Sequence, residues 1–241
     1  MNSNALDFLG TISLYGLFVI VVLVVVVVVQ IIKYQNRKKH RAAMWAFAAL
    51  NGWQFYDEFD FPFLRELAQY TGKIEKGLFG EAIPNPLTVR SKNVVQGNMH
   101  GRNFAVFEQT YLVYSGKHRS ERSQTLFAVE VRDMNLPVFS LEPDSFNQFL
   151  SWNNFKKFDI DFHTHPKFSG NYLLYGLDER AVRQLFQPSV LSFYEQYPLF
   201  TTIAGGKYLV IYQHGEVYSP EQLLNQLNFL YALVNAFKSG R

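Results

Sequence analysis

The segment Asp159-Ile160-Asp161-Phe162-His163-Thr164-His165 carries two carboxylates and two imidazoles at every second position. On a strand, successive side chains alternate faces, so Asp159, Asp161, His163 and His165 would project from one side. Carboxylate and imidazole together suit zinc or another transition metal. Asp159, His163 and His165 would then serve a metal-dependent hydrolase. A second reading explains the same alternation by a wet strand face, with Ile160 and Phe162 turned inward. The sequence favours that second reading. It assigns no catalytic residue, no cofactor and no metal ion, and keeps the four residues as candidates.

Other constellations are weaker still. The stretch His163-Thr164-His165-Pro166 resembles the signature of JAMM-type metalloproteases. That pattern places a Ser and then an Asp further on, where this chain has Leu173 and Gly176, and Asp178 comes two residues late. Lys117, His118, Arg119 and Arg122 are read as a solvated loop tip before an anion site. No Gly-rich phosphate loop and no nucleophile elbow occurs, since Gly205-Gly206 lies within a hairpin pattern. His100 and His214 stand beside glycines at expected turns and receive no role.

The element that would position all of this begins far upstream. Leu9–Ile32 is an apolar run broken only by Thr11, Ser13 and Gln30. As a helix it would measure roughly 36 Å, against a hydrocarbon core of about 30 Å. A lone span must satisfy its backbone internally, so the valines do not argue against a helix. The N-terminal flank has no Lys or Arg, and no small-residue cleavage site follows the run, so an uncleaved anchor is expected rather than a signal peptide. Lys33, Arg37, Lys38, Lys39 and Arg41 follow it, and such an excess stays on the cytoplasmic side. The expectation is a plasma-membrane or inner-membrane protein with its N-terminus outside and its domain in the cytoplasm. The domain plan is residues 1–8 outside, 9–32 spanning, 33–51 a basic juxtamembrane helix, and 52–241 the folded domain.

Charge follows from that flank. The chain has 23 Lys+Arg and 20 Asp+Glu; setting aside the five flanking cations and Asp7 leaves 18 against 19 for residues 42–241. A nearly neutral domain gives no electrostatic reason to expect nucleic acid. The basic cluster itself would attract anionic headgroups, which makes a lipid-surface sensor an alternative role. With no cysteine, disulfides, thiol nucleophiles and Cys-bound zinc are excluded. Gly10 and Gly16 lack small-xxx-small spacing, so no membrane dimer is indicated.

Hydrophobic periodicity fixes the remaining elements. Arg37–Asn51 is expected to prolong the membrane helix, with Gly52 as its stop. Trp53, Phe55 and Tyr56 alternate into a short extended piece, 61–70 reads as a short helix, and 72–86 as loop. Val94–Met99, Arg102–Tyr114 and Gln124–Arg132 alternate as strands of a meander, with a His100-Gly101 turn and a polar connection at 115–122. Pro137–Leu141 is expected to add a fourth strand, 144–152 a helix and Asn171–Tyr175 a strand. Asp178 would cap one short helix and Pro188 would open another. Phe200–Ala204 and Lys207–Gln213 form a hairpin. Ser219, Pro220 and Gln222 announce a closing helix whose stripe is Leu223, Leu227, Leu230, Val234 and Phe237. The fold class expected is α+β: one N-terminal transmembrane helix, then an antiparallel meander plus hairpin packed with several helices.

The stretch Phe168–Pro188, FSGNYLLYGLDERAVRQLFQP, resembles a signature of uncharacterised bacterial membrane proteins. Phe168, Tyr172, Leu174, Gly176, Asp178, Ala181, Leu185, Phe186 and Pro188 carry it, and the Gly52-Trp53 entry fits the same layout. The resemblance implies a membrane-anchored envelope protein with a domain of unknown function, and supplies no catalytic residues. Together these readings point to a non-enzymatic interaction module, tethered to the lipid bilayer and binding a protein partner.

Overall fold

The computed structural model describes residues 3–67, 91–115, 118–144, 159–197 and 199–239. The chain divides into two units, Met1–Ala43 and Met44–Arg241. One helix, α1 (Ser3–Leu50), makes up almost all of the first unit and supplies its last turns to the second. The stretch Gly16–Leu50 is long and apolar enough to cross a membrane, with mean hydropathy 3.0 in its most apolar window and none of that window buried. The helix stops where the backbone turns left-handed at Gly52, φ +68°, and the Trp53 N–H donates back to the Ala48 carbonyl at 2.8 Å.

The second unit is α+β. Its strands are β1 (Gln54–Phe59), β2 (Ser91–Met99), β3 (Arg102–Ser115), β4 (His118–Glu130), β5 (Leu136–Pro143), β6 (Tyr172–Gly176), β7 (Thr201–Gly206) and β8 (Tyr208–Tyr212). They form one antiparallel sheet in the order β1-β2-β3-β4-β8-β7-β5-β6. The meander β2-β3-β4 and the β7-β8 hairpin are both present. The fourth strand is not next to the third: the hairpin inserts between β4 and β5. A left-handed pair at His100 (φ 53°) and Gly101 (φ 75°) turns β2 into β3, a geometry that suits the twist of a two-residue hairpin.

Helices α2 (Pro166–Asn171), α3 (Glu179–Leu185), α4 (Pro188–Gln196) and α5 (Pro220–Ser239) complete the described elements, apart from a helical turn at 62–67. The larger core joins them to one face of the sheet. Phe104, Val106, Phe127, Val129 and Val131 meet Phe168, Val182, Leu191, Leu223, Leu227, Leu230, Val234 and Phe237 there. Met44 and Ala48 of α1 belong to the same core. A smaller core lies on the opposite face, where Phe61, Leu64 and Leu67 cover Val94, Phe107, Leu126, Val210 and Tyr212. The α5 stripe is buried along its whole length, and its start follows the capping-box pattern: the Ser219 N–H donates to Gln222 Oε1 at 2.9 Å.

Two expectations are corrected. The polar stretch read as a connection is strand over its described residues, 115 and 118–122, because β3 and β4 stay in register out to the Ser115–His118 pair. β8 pairs with β4 only over Leu126–Glu130, so the hairpin runs on beyond the reach of β8. Asp159–His165 is not a strand: 159–162 is irregular, 163–164 is a turn, and α2 follows. The expectations for 72–86 and for most of 144–152 lie outside the described residues.

Candidate functional site

Loss of the strand breaks up the face on which the four candidates were to meet. Asp159 lies along β6, the edge strand. Its Oδ1 accepts from the Leu174 N–H at 2.7 Å, and the Ile160 N–H donates to the Leu174 carbonyl at 2.9 Å. The segment thus clamps the open side of β6 with one side-chain and one main-chain bond. Burial pushes the Asp159 carboxyl up to about 6, partly offset by the bond from Leu174 and reinforced by Asp161. Asp161 turns to solvent, and its backbone carbonyl accepts from Arg183 Nη1 at 2.7 Å. His163 is exposed on the turn. His165 ends the turn with its Nδ1 3.0 Å from Thr164 Oγ1 and its Nε2 3.4 Å from Ser192 Oγ. Among the described residues, no three of His, Asp and Glu gather in a group that could hold a metal ion.

Ile160 and Phe162 do point into the core, as the wet-face reading expects. The alternation is real, but an irregular segment tied to a strand edge produces it. The remaining contacts of this segment also serve the fold. Ser169 Oγ accepts from the Phe162 N–H at 2.8 Å, and Asp178 caps α3 by accepting from the Ala181 N–H at 3.0 Å.

The densest polar arrangement lies elsewhere, at the end of the sheet where β2 turns into β3. Arg102 holds Asp133 with two parallel bonds, 2.6 and 2.7 Å, and Lys238 at the end of α5 pairs with the same carboxylate. Beside them, Glu130 accepts from Arg132 at 2.9 Å, Lys207 at 3.1 Å and Asn103 Nδ2 at 3.1 Å. These donors lower the Glu130 carboxyl to about 2, Arg132 contributing most. Asp133 is held well below the usual carboxylate range, chiefly by Arg102. A polar cleft of about 440 Å³ opens over this network, lined among others by Asn98, His100, Arg102, Asn103 and Arg132.

Neither Glu130 nor Arg132 stands out in the sequence as a site residue. Apart from Arg132, the partners of Glu130 are Asn103 on β3 and Lys207 in the β7–β8 turn, which are remote in sequence. A third polar contact, on the face of the smaller core, joins His214 Nε2 to Thr201 Oγ1 at 3.0 Å. Burial lowers the His214 imidazole to about 4.

No protein-family model matches the chain, and no curated protein matches it. The resemblance carried by Phe168–Pro188 therefore stands on those residues alone. Among solved structures, the crystal structure of the mycobacterial trehalose monomycolate transport factor A, TtfA, is similar over 81% of this chain and 94% of that chain. The identity is 13% and the TM-score 0.49.

Proposed function

We propose that the chain is a single-pass membrane protein whose α+β domain faces the cytoplasm and binds a protein partner without catalysing a reaction. The observation that carries this reading is α1. Its large apolar side chains from Leu17 to Ile32 are exposed, with Phe18 at 66% and Val29 at 41%. Apolar surface left in water costs about 25 cal/mol per Å², and a bilayer removes that cost along the whole run. The five cations that follow favour the cytoplasmic side for everything after them. Two of the four candidate ligands have side chains engaged in the fold, which supports a non-enzymatic domain: Asp159 clamps β6, and His165 sits between two hydroxyls.

The test is cross-linking in intact membranes followed by purification of the full chain in detergent. The reading expects the same protein to co-purify in replicate preparations and to survive alkaline carbonate washing together with the chain. Release of the chain by the wash, or no reproducible partner, would contradict it.

A further inference from the structure

The polar cleft adjoins an apolar cavity, and the two share Asn103 and Glu130. The cavity, about 220 Å³, lies on the smaller-core face of the sheet and is lined by Phe59, Phe61, Phe63, Ala105, Ala128 and Tyr208, among others. Its origin is legible in the register. Ala105 sits directly opposite Ala128 across β3 and β4. The next pair inward on that face is Phe107 with Leu126, which fills its space. The next row outward is polar: Asn98 beside Asn103, and Glu130 beside Tyr208. Two small side chains thus leave a hollow between a packed row and a polar row.

Aromatic rings wall the hollow. Phe61 meets Phe107 at 5.0 Å between centroids, Phe59 meets Phe61 at 4.8 Å, and Phe63 stacks on Tyr208 at 4.4 Å. The Lys207 ammonium lies 5.2 Å from the Tyr208 ring centre, so the wall ends in a cation. At the polar end, Glu130 is only 11% exposed and lies beneath Arg132 and Lys207, which are 72% and 51% exposed. Adding the neighbouring network, four cations (Arg102, Arg132, Lys207 and Lys238) face two carboxylates (Glu130 and Asp133). Both carboxylates are already matched, so the surplus at this end is positive. An apolar hollow with a few convergent polar groups at one end is the common form of a small-molecule site.

We infer that this joined site binds an anionic amphiphile, its hydrocarbon segment over the Ala105–Ala128 floor and its carboxylate or phosphate head against Arg132 and Lys207. The division of the site into an aromatic hollow and a cationic rim selects a ligand divided in the same way. A free phosphate would use only the rim, and a neutral hydrocarbon only the hollow. The inference is separate from the anchoring role of α1 and from the partner reading.

The test uses the full chain in phosphatidylcholine nanodiscs, with a diazirine-bearing fatty acid as probe and the fatty alcohol of the same length as its neutral counterpart. Photolabelled peptides are located by mass spectrometry. The acid is expected to label the peptides carrying Phe59–Phe63 and Tyr208, and the alcohol to label them several-fold less. Filling the floor with Ala128→Leu is expected to cut that labelling about tenfold by steric exclusion. Lys207→Gln with Arg132→Gln replaces both cations by amides that can still donate to Glu130, and is expected to bring the acid down to the level of the alcohol. Excess inorganic phosphate should leave the labelling in place. Equal labelling by acid and alcohol, undiminished labelling of the Ala128→Leu protein, or displacement by inorganic phosphate would each overturn the inference.

Discussion

Asp159 is the residue whose role changes most between sequence and structure. Read as a possible ligand, it is instead an acceptor for the Leu174 N–H at the sheet edge. Its folded carboxyl, raised by burial from 3.8 to about 6, binds its proton more tightly than in the unfolded chain. The stabilising contribution is therefore full below the unfolded value and is lost as pH rises through about 6. Asp159→Asn keeps an oxygen for Leu174 and removes the charge. It is expected to raise stability by about 1–2 kcal/mol above pH 7, allowing for partial solvent screening. Thermal melts across pH would show the variant lacking the decline that the parent shows between 3.8 and about 6. His214 has the opposite sign. Its imidazole falls from 6.5 to about 4 on burial, so its contribution is present above 6.5 and is lost as pH falls towards 4. His214→Gln should remove up to about 3 kcal/mol of that acid-side dependence. A parent melt curve unchanged by either substitution would contradict the burial argument. Neither shift was legible in the sequence, because each arises from neighbours brought by the fold.

At the scale of elements, the parts with a buried face were the readable ones. Thr125, Phe127, Val129 and Val131 share one face of β4 and all four are buried, although Leu126 and Ala128 are buried on the other face as well. The Leu223–Phe237 stripe was equally plain for the same reason. The outer part of β4 was read as a connection because it leaves β8 behind, and exposed Glu121 and Arg122 give no inward signal. Asp159–His165 failed in the reverse sense: Ile160 and Phe162 alternate inward, but Leu174 rather than a ladder partner holds the backbone. Two substitutions test how tightly the readable elements are set. A Cβ on Gly176, at the end of β6, would lie 2.5 Å from Val182 Cγ2 and 3.3 Å from the Val138 carbonyl. Gly176→Ala is expected to cost about 1–3 kcal/mol by overpacking, with partial recovery on adding Val182→Ala. Asp178→Ala removes the α3 cap and should cost about 1 kcal/mol. Denaturant midpoints measure both, and a neutral Gly176→Ala would show that α3 is not seated on β6 as described.

For the whole molecule, the last turns of α1 belong to the second unit and contribute to its core. Met44 is wholly buried and Ala48 nearly so, both among the sheet and helix residues of the larger core. Starting a soluble fragment at residue 52 removes both side chains, whereas starting at 44 keeps them. Deleting a buried Met alone typically costs about 2–5 kcal/mol, so the shorter fragment should unfold at markedly lower denaturant than the longer one. Equal midpoints would mean that the last turns of α1 are dispensable. The apolar run made a helix long and apolar enough to cross a membrane visible in the sequence. The burial of Met44 and Ala48 was not visible, since RAAMWAFAAL reads as helix whether or not a sheet lies beside it.

The central claim, that α1 spans a bilayer with the domain on the cytoplasmic side, is tested most directly by thiol accessibility. The chain has no cysteine, so Asn51→Cys, at an exposed position just past α1, provides a single reporter. In intact cells it should resist a membrane-impermeant maleimide and react fully once the cells are opened. Full labelling before lysis would contradict the account.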